Sequence, residues 1–355
     1  MLFFEFVIVC FFAFSKKLRS NFIMHYQLYI INYQFMINKQ VSILLAVYNP
    51  NYDWFRKQLI SLNNQSYKNI NLYVYDDCPE NPFDEEYLKK YITNFKYKLI
   101  RGKENKGSNK AFEYLTKIAD GDYFAYCDQD DIWETEKIEK MVDAFKDKDV
   151  TLAYCDLSII DKDDKKIADS FTDIRKRIVY LSGFNQAQNI LFSNFVTGCA
   201  MMVRSDMAKK AVPFHEMIVH DQWIAIIAAL NGKIEFIKTP LIRYRQHNNN
   251  QTGILKDVYD KKSYYKRRID DYLECYYIYK KRLSSYKEIK KTIDDTILWI
   301  ESRKRYSKRV SFSDLKTIIK YRKFHKISAI LDIVLPFIPD ILFKIILKLA
   351  KKGII

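Results

Sequence analysis

Several signatures are missing from this 355-residue chain, and each absence removes a class of function. No Cys-x-x-Cys pair occurs. The six cysteines, Cys10, Cys78, Cys127, Cys155, Cys199 and Cys275, have no short regular spacing, so neither a zinc site nor a disulfide framework is suggested and a reducing setting is the simpler one. No Gly-x-Gly-x-x-Gly or Gly-x-x-x-x-Gly-Lys-Ser/Thr loop follows the first strand-like run, and the nearest candidate, Gly102 to Gly107, has the wrong spacing. Any phosphate must therefore be bound through a metal. Long apolar runs are scarce too. Met1 to Phe14 is almost wholly apolar, but a helix of that length reaches about 21 Å against a hydrocarbon core of roughly 30 Å. Lys16, Lys17 and Arg19 follow the run instead of preceding it, and no small-residue cleavage site is obvious, unlike a secretory signal. Residues 1–40 read as an over-extended start, with Met36 as the natural beginning, or as a short membrane anchor.

What the chain does have is a core and an uneven charge. A hydrophobic content of 48% with 15% aromatic excludes a disordered or collagen-like chain. The length accommodates one large α/β domain with an appendage, or two ordinary domains. The formal charge is +16, yet residues 1–255 hold 33 basic and 31 acidic side chains, whereas residues 256–355 hold 26 and 12. The excess belongs to the last hundred residues. Residues 254–326 read as helices dense in Tyr, Lys and Arg. Asp270, Asp271 and Glu274 sit among those cations, and no nucleic-acid-binding signature accompanies them, so a solvated helical region is expected and no nucleic-acid partner. Residues 327–355 end in a basic amphipathic helix, with Lys344, Lys348, Lys351 and Lys352 on one side and Ile341, Leu342, Ile345, Ile346 and Leu349 on the other. That pattern suits a helix lying on an anionic membrane, or one docked on its own domain. Asp332, Pro336 and Pro339 argue against a spanning helix.

From Val41 the pattern alternates between strands and helices. The expected strands are Val41 to Val47, Ile70 to Tyr75, Tyr97 to Ile100 and Tyr123 to Cys127. Helices are expected around Glu85 to Ile92, around Ala111 to Ala119 and through Ile138, Met141, Val142 and Phe145. This argues for a doubly wound α/β sheet, whose ligands collect beyond the carboxyl ends of the strands. Asp76-Asp77 follows the second strand and Asp128-Gln129-Asp130-Asp131 the fourth. Crowded carboxylates repel, and a hard divalent cation that also accepts diphosphate oxygens resolves the repulsion. The alternative is that Asp76 and Asp131 cap turns and helices.

VSILLAVYNP, YDD, NKG, YFAYCDQDDIW, TGCAMM, HDQW and YRQH, in this order between Val41 and His247, resemble a family-2 glycosyltransferase of the GT-A fold. DQDDIW, HDQW and YRQH together resemble the bacterial rhamnosyltransferase-type members that extend cell-surface polysaccharides. The resemblance implies a mostly parallel GT-A sheet over residues 41–253, with helices on both faces. It implies donor contacts from Tyr48, Asn49, Asp76, Asp77, Asn105, Gly107 and Asp128. Asp130 and His247 would hold Mg or Mn, with a structural role the alternative for the histidine. Asp221 would be the catalytic base. Asp131, Trp133, Gly198, His220, Trp223 and Arg245 would line the sugar or acceptor pocket, although Trp223 also suits plain core. Where the family continues its second acidic pair as Asp-Gly-Ser, this chain has Cys78-Pro79, so a different ribose-side loop is expected here. The Gln-x-x-Arg-Trp motif of processive synthases is absent.

The implied function is an inverting, metal-dependent transfer from dTDP-L-rhamnose to a lipid-linked polysaccharide precursor, at the inner face of a bacterial plasma membrane. A UDP-hexose donor, for capsule, teichoic acid or another glycan, is the alternative. A sugar nucleotidyltransferase would want a Gly-rich loop and Arg where Tyr48-Asn49-Pro50 stands, and a nucleic-acid-binding protein is the third reading.

Overall fold

A computed structural model describes residues 39–247, 257–322 and 326–351. The apolar extension with its Met36 start, the expected boundary at Gly253, and Lys352 lie outside the described residues.

The first half of the domain is a run of strand–helix units. β1 (Val41–Val47) leads to α1 (Tyr52–Asn63), β2 (Ile70–Asp76), α2 (Glu86–Tyr91), β3 (Lys96–Arg101), α3 (Ser108–Ile118) and β4 (Tyr123–Cys127). The remainder of the sheet is β5 (Ile132–Trp133), β6 (Val150–Ile160), β7 (Lys166–Ala168), β8 (Met201–Arg204) and β9 (Lys233–Arg245). Strand order is β3-β2-β1-β4-β8-β6-β9-β5, with β7 beside β6. β3, β2, β1 and β4 pair in parallel. Beyond β4 the sheet turns antiparallel at β8, and a parallel β6–β9 pair follows. The sheet is therefore mixed, with its parallel half where the strand–helix alternation lies.

This order explains where a ligand can sit. The chain leaves β1 toward β2 and β3, then returns to build β4 on the other side of β1. The loops after β1 and β4 thus diverge and open a crevice at the carboxyl edge. Asn51 begins α1 there, its side chain accepting from the Asp53 and Trp54 amides at 3.1 and 3.3 Å.

Alternation along β1 sorts its side chains between two cores. Ile43, Leu45 and Val47 join Phe55, Leu59 and Leu62 of α1 on one face. Leu44 joins Phe112 and Leu115 of α3 and the apolar helix His220–Asn231 on the other. That second face also receives the C-terminal helices Asp271–Arg282 and Lys287–Lys308. Tyr276 and Tyr279 are buried there, Tyr276 donating to the Leu191 carbonyl at 3.0 Å and Tyr279 stacking on Trp223 at 6.3 Å. The expectation of a solvated helical region therefore holds only for its outer side. Tyr264, Tyr276 and Tyr279 are packing groups, whereas Lys266, Arg267, Arg268, Lys280 and Lys281 among them are exposed.

Asp332, unusual in an apolar stretch, is buried against Arg303 (Oδ2 to Nε 2.5 Å) and also accepts from the Tyr264 hydroxyl at 3.1 Å. The last helix, Asp340–Lys351, docks through Phe343 and Leu347 on Val258, Tyr264 and Leu335. Its docked side is thus a line that the lysine–isoleucine pattern did not single out.

Candidate active site

The loop after β1 is tied to the loop after β4 by one side chain. Gln129 accepts from the Tyr48 amide at 2.8 Å and donates to the Tyr48 carbonyl at 3.0 Å. Tyr48 keeps its ring half exposed at the crevice, and Asn49 adopts a positive φ of 41°. Gln129 was overlooked in the sequence although it sits inside the acidic motif, because only its carboxylate neighbours carry an obvious charge.

Asp76 and Asp77 divide their work. Asp76 is buried and accepts from the Cys78 and Phe83 amides, both at 3.1 Å, and from Arg101 at 2.5 Å. It organises the loop after β2. Asp77 accepts from the Lys106 and Gly107 amides at 2.9 and 2.7 Å, and Asn105 also accepts from the Gly107 amide. Gly107 has φ 78°, a region that costs a side chain strain, and begins α3. The expected donor residues Asp77, Asn105 and Gly107 therefore form one hydrogen-bonded loop beside Asp76.

The second cluster holds the unusual charges. Asp128 and Asp221 lie close enough to repel, and burial raises Asp128 to about 7, with Asp130 and Asp221 adding repulsion, and raises Asp221 to about 6. Asp130 meets His247 at 2.7 Å between Oδ2 and Nε2, though 117 residues separate them in the chain. The His247 ring packs on Trp54 at 4.9 Å. Asp128, Asp131 and Cys199 also lie within 4.8 Å of one another. Burial drives the Cys199 thiol upward and keeps it neutral, and one oxygen of Asp131 is taken by the Arg245 amide at 3.0 Å. A hard divalent cation prefers carboxylate oxygens to a buried thiol, so Asp128 and Asp130, with His247 beside Asp130, fit such an ion better than Cys199 does.

Asp221 begins its helix and is held from three directions. The Asn194 amide donates to Oδ1 at 3.0 Å, the Gln222 amide donates to the same oxygen at 2.5 Å, and the Gly198 amide donates to Oδ2 at 3.0 Å. Asn194 was not anticipated, since a lone Asn after a short helix gives no signal of a contact 27 residues away. Lys137 was missed as well. It is fully buried, its Nζ donating to the Cys199 carbonyl at 2.7 Å and lying 3.0 Å from the centre of the Trp133 ring. Burial lowers it to about 8, while its charge offsets Asp128 and Asp131.

Several residues expected to line the pocket support it from within. Asp131 and Arg245 are wholly buried. Arg245 donates from Nε to the Asp130 carbonyl at 2.8 Å and from Nη1 to the Asp161 carbonyl at 2.9 Å, so it shapes the acidic loop. Trp133 lies in the core under Lys137. Trp223 donates to the Ala211 carbonyl at 2.6 Å, with Arg282 over its ring. His220 packs on Phe112 at 4.3 Å and is lowered to about 3 by burial, hence neutral. Gly198 packs against His220 and Asp221: a Cβ there would stand 2.9 Å from His220 Nε2. Large aromatics and a guanidinium are placed inside because their surface is best removed from water once their polar atoms find partners.

A mixed sheet with an acid-lined carboxyl edge and helices on both faces defines a GT-A-type fold. Residues 42–209 match the sequence model of the family described as Glycosyl transferase family 2, so the chain carries a family-2 glycosyltransferase domain and is by class a glycosyltransferase. Among relatives, an uncharacterised glycosyltransferase of Methanocaldococcus jannaschii is 26% identical over 217 residues, covering 59% of this chain and 72% of the relative. A glycosyltransferase of Rickettsia conorii matches equally well over 59% of this chain, but that stretch is only 34% of the rickettsial protein. The dTDP-rhamnosyl transferase RfbG of Shigella flexneri is 26% identical over 226 residues, 59% of this chain and 73% of that protein. In structure the chain is similar to S. aureus TarS 1-349, crystallised in complex with UDP-GlcNAc, with a TM-score of 0.52 and 16% identity over 80% of each chain.

Proposed function

We propose that the protein transfers L-rhamnose from dTDP-L-rhamnose, with inversion, to a lipid-linked precursor of a bacterial surface polysaccharide, working peripherally at the cytoplasmic membrane face. The observation that carries the transfer chemistry is Asp221. It is a carboxylate held by three hydrogen bonds and raised to about 6, near enough to Asp128 to repel it.

Inversion requires the acceptor oxygen to approach the anomeric carbon from the face opposite the diphosphate. The bond from that carbon to the diphosphate oxygen breaks as the new C–O bond forms, and the acceptor proton passes to Asp221. Asp128, Asp130 and His247 are the residues that would hold Mg or Mn, which stabilises charge on the departing diphosphate. Asp77 keeps the 105–107 loop shaped for the nucleotide, and Gln129 keeps Tyr48 beside it.

The rhamnose donor is supported by the RfbG relative. A UDP-hexose is the second reading, supported by the UDP-GlcNAc held by TarS. The test is a panel of dTDP-, UDP- and GDP-sugars, scored for Mg- or Mn-dependent binding and hydrolysis by the purified protein. Turnover of dTDP-L-rhamnose alone supports the first reading and turnover of a UDP-hexose the second. Failure with every donor and both metals overturns both.

A further inference from the structure

The two last helices leave an apolar strip uncovered. In the helix Lys326–Val334, Ala329 faces inward, and Leu335 beyond it and Phe343 and Leu347 of the final helix are buried. On the other side Ile330, Val334, Phe337, Ile341, Leu342 and Ile345 are between 45% and 74% exposed. Ile330 and Val334 stand one turn apart on one helix and Ile341 and Ile345 one turn apart on the next, with Phe337 exposed in the short connection between the two helices. Single exposed hydrophobes are ordinary on a soluble surface, but six within the sixteen residues 330–345 mark an interaction face.

We propose that this strip is a docking face for an anionic lipid bilayer, with its isoleucines and Phe337 entering the headgroup–acyl boundary. The inference deepens the peripheral location proposed above, but its physical basis does not depend on the sugar-transfer chemistry. Charge identifies the occupant. Lys344 and Lys348 are exposed one turn beyond Ile341 and Ile345, and Asp340 is the acidic group at the start of the same helix. With 26 basic side chains against 12 acidic ones in the last hundred residues, two copies brought face to face repel, whereas anionic headgroups attract. Residues 1–38 carry Lys16, Lys17 and Arg19 against Glu5 and are no better matched. No helix among the described residues is long and apolar enough to cross a membrane, so attachment by this strip would lie in the interface plane.

The test uses the full chain with phosphatidylcholine vesicles, with and without phosphatidylglycerol, in a sedimentation assay. The wild type is expected to partition onto the phosphatidylglycerol vesicles. Ile341→Ser/Ile345→Ser is expected to lower partitioning roughly tenfold or more, and Lys344→Ala/Lys348→Ala to lower it by several-fold, in a manner that added salt reproduces. Ile330→Ser/Phe337→Ser, on the preceding segment, should give the same loss as the isoleucine pair. Circular dichroism and donor turnover identify any variant that has lost its fold. Equal partitioning of wild type and both apolar variants overturns the proposal. So does binding to neither vesicle, a wild-type dimer that the isoleucine variant dissociates, or binding that appears only after residues 1–38 are removed. Because vesicle binding is read without a donor, failure of the sugar panel leaves this result standing, and the reverse is also true.

Discussion

The acidic edge of the sheet and the basic C-terminal helices use charge in opposite ways. At the edge, Asp76, Asp77 and Asp221 are held by backbone and side-chain donors, and burial moves Asp128 and Asp221 far from ordinary carboxylate behaviour. In the C-terminal helices the cations are mostly at the surface, in open pairs such as Lys280–Asp294 and Lys304–Asp270. Pairs of that kind contribute about 1 kcal/mol or less each. Their exception is Arg303–Asp332, buried as deeply as anything in the site. Burial with hydrogen-bond donors shifts the carboxylates of the edge, whereas most cations of the C-terminal helices stay solvated.

Four variants break or sharpen that contrast. Asp221→Asn keeps the size of the proposed base but removes its ability to take a proton. Turnover is expected to fall about 10²–10⁴-fold while donor affinity, measured by calorimetry, stays within a few-fold; equal losses in both would make Asp221 a binding residue. Asp332→Ala strands the Arg303 charge in the core and is expected to cost about 3–5 kcal/mol in denaturant unfolding. A loss below about 1 kcal/mol would show that the pair is no more than a surface one.

Lys137→Met preserves length and removes the buried cation that offsets Asp128 and Asp131. Asp128 should then rise further above about 7, and Mn affinity at neutral pH should weaken about tenfold, equivalent to about 1.4 kcal/mol. Unchanged affinity would confine Lys137 to anchoring the Cys199 carbonyl.

Asn194→Ala is expected to have the smallest effect. In the wild type, Asp221 must be ionised to accept a proton. Its raised value therefore predicts activity that climbs with pH through about 6 and levels off above it. The Asn194 hydrogen bond favours the charged form and opposes burial, so losing it should move that limb upward by about one pH unit. An unshifted limb with lower turnover would mean that Asn194 only orients the carboxylate.

Much of the parallel half of the sheet was legible. Continuous apolar runs marked β1 and β4, and the helices appeared within a few residues of their expected ends because their apolar periodicity is strong. The acidic clusters were visible because runs of carboxylates at strand ends stand out in a sequence, although Asp76 and Asp131 are bound by backbone donors. Gln129, Asn194 and Lys137 were not, since each acts through one partner that no local pattern announces. The pocket-lining expectation for Trp133, Trp223 and Arg245 erred in the other direction. Large side chains near a motif read as walls of a site until packing shows which of their faces is covered.

Alone, the sequence determined the order of strands and helices in the parallel half from β1 to β4, the position of acids at strand ends and the concentration of cations in the last hundred residues. These follow from local periodicity and composition. Only the tertiary structure decided that Asp130 meets His247, that Asp221 faces the acidic loop, and that Phe343 and Leu347, not the isoleucines, dock the last helix. Contacts across a hundred residues depend on strand order and on which side of each element finds a partner, and those are properties of the packed chain as a whole.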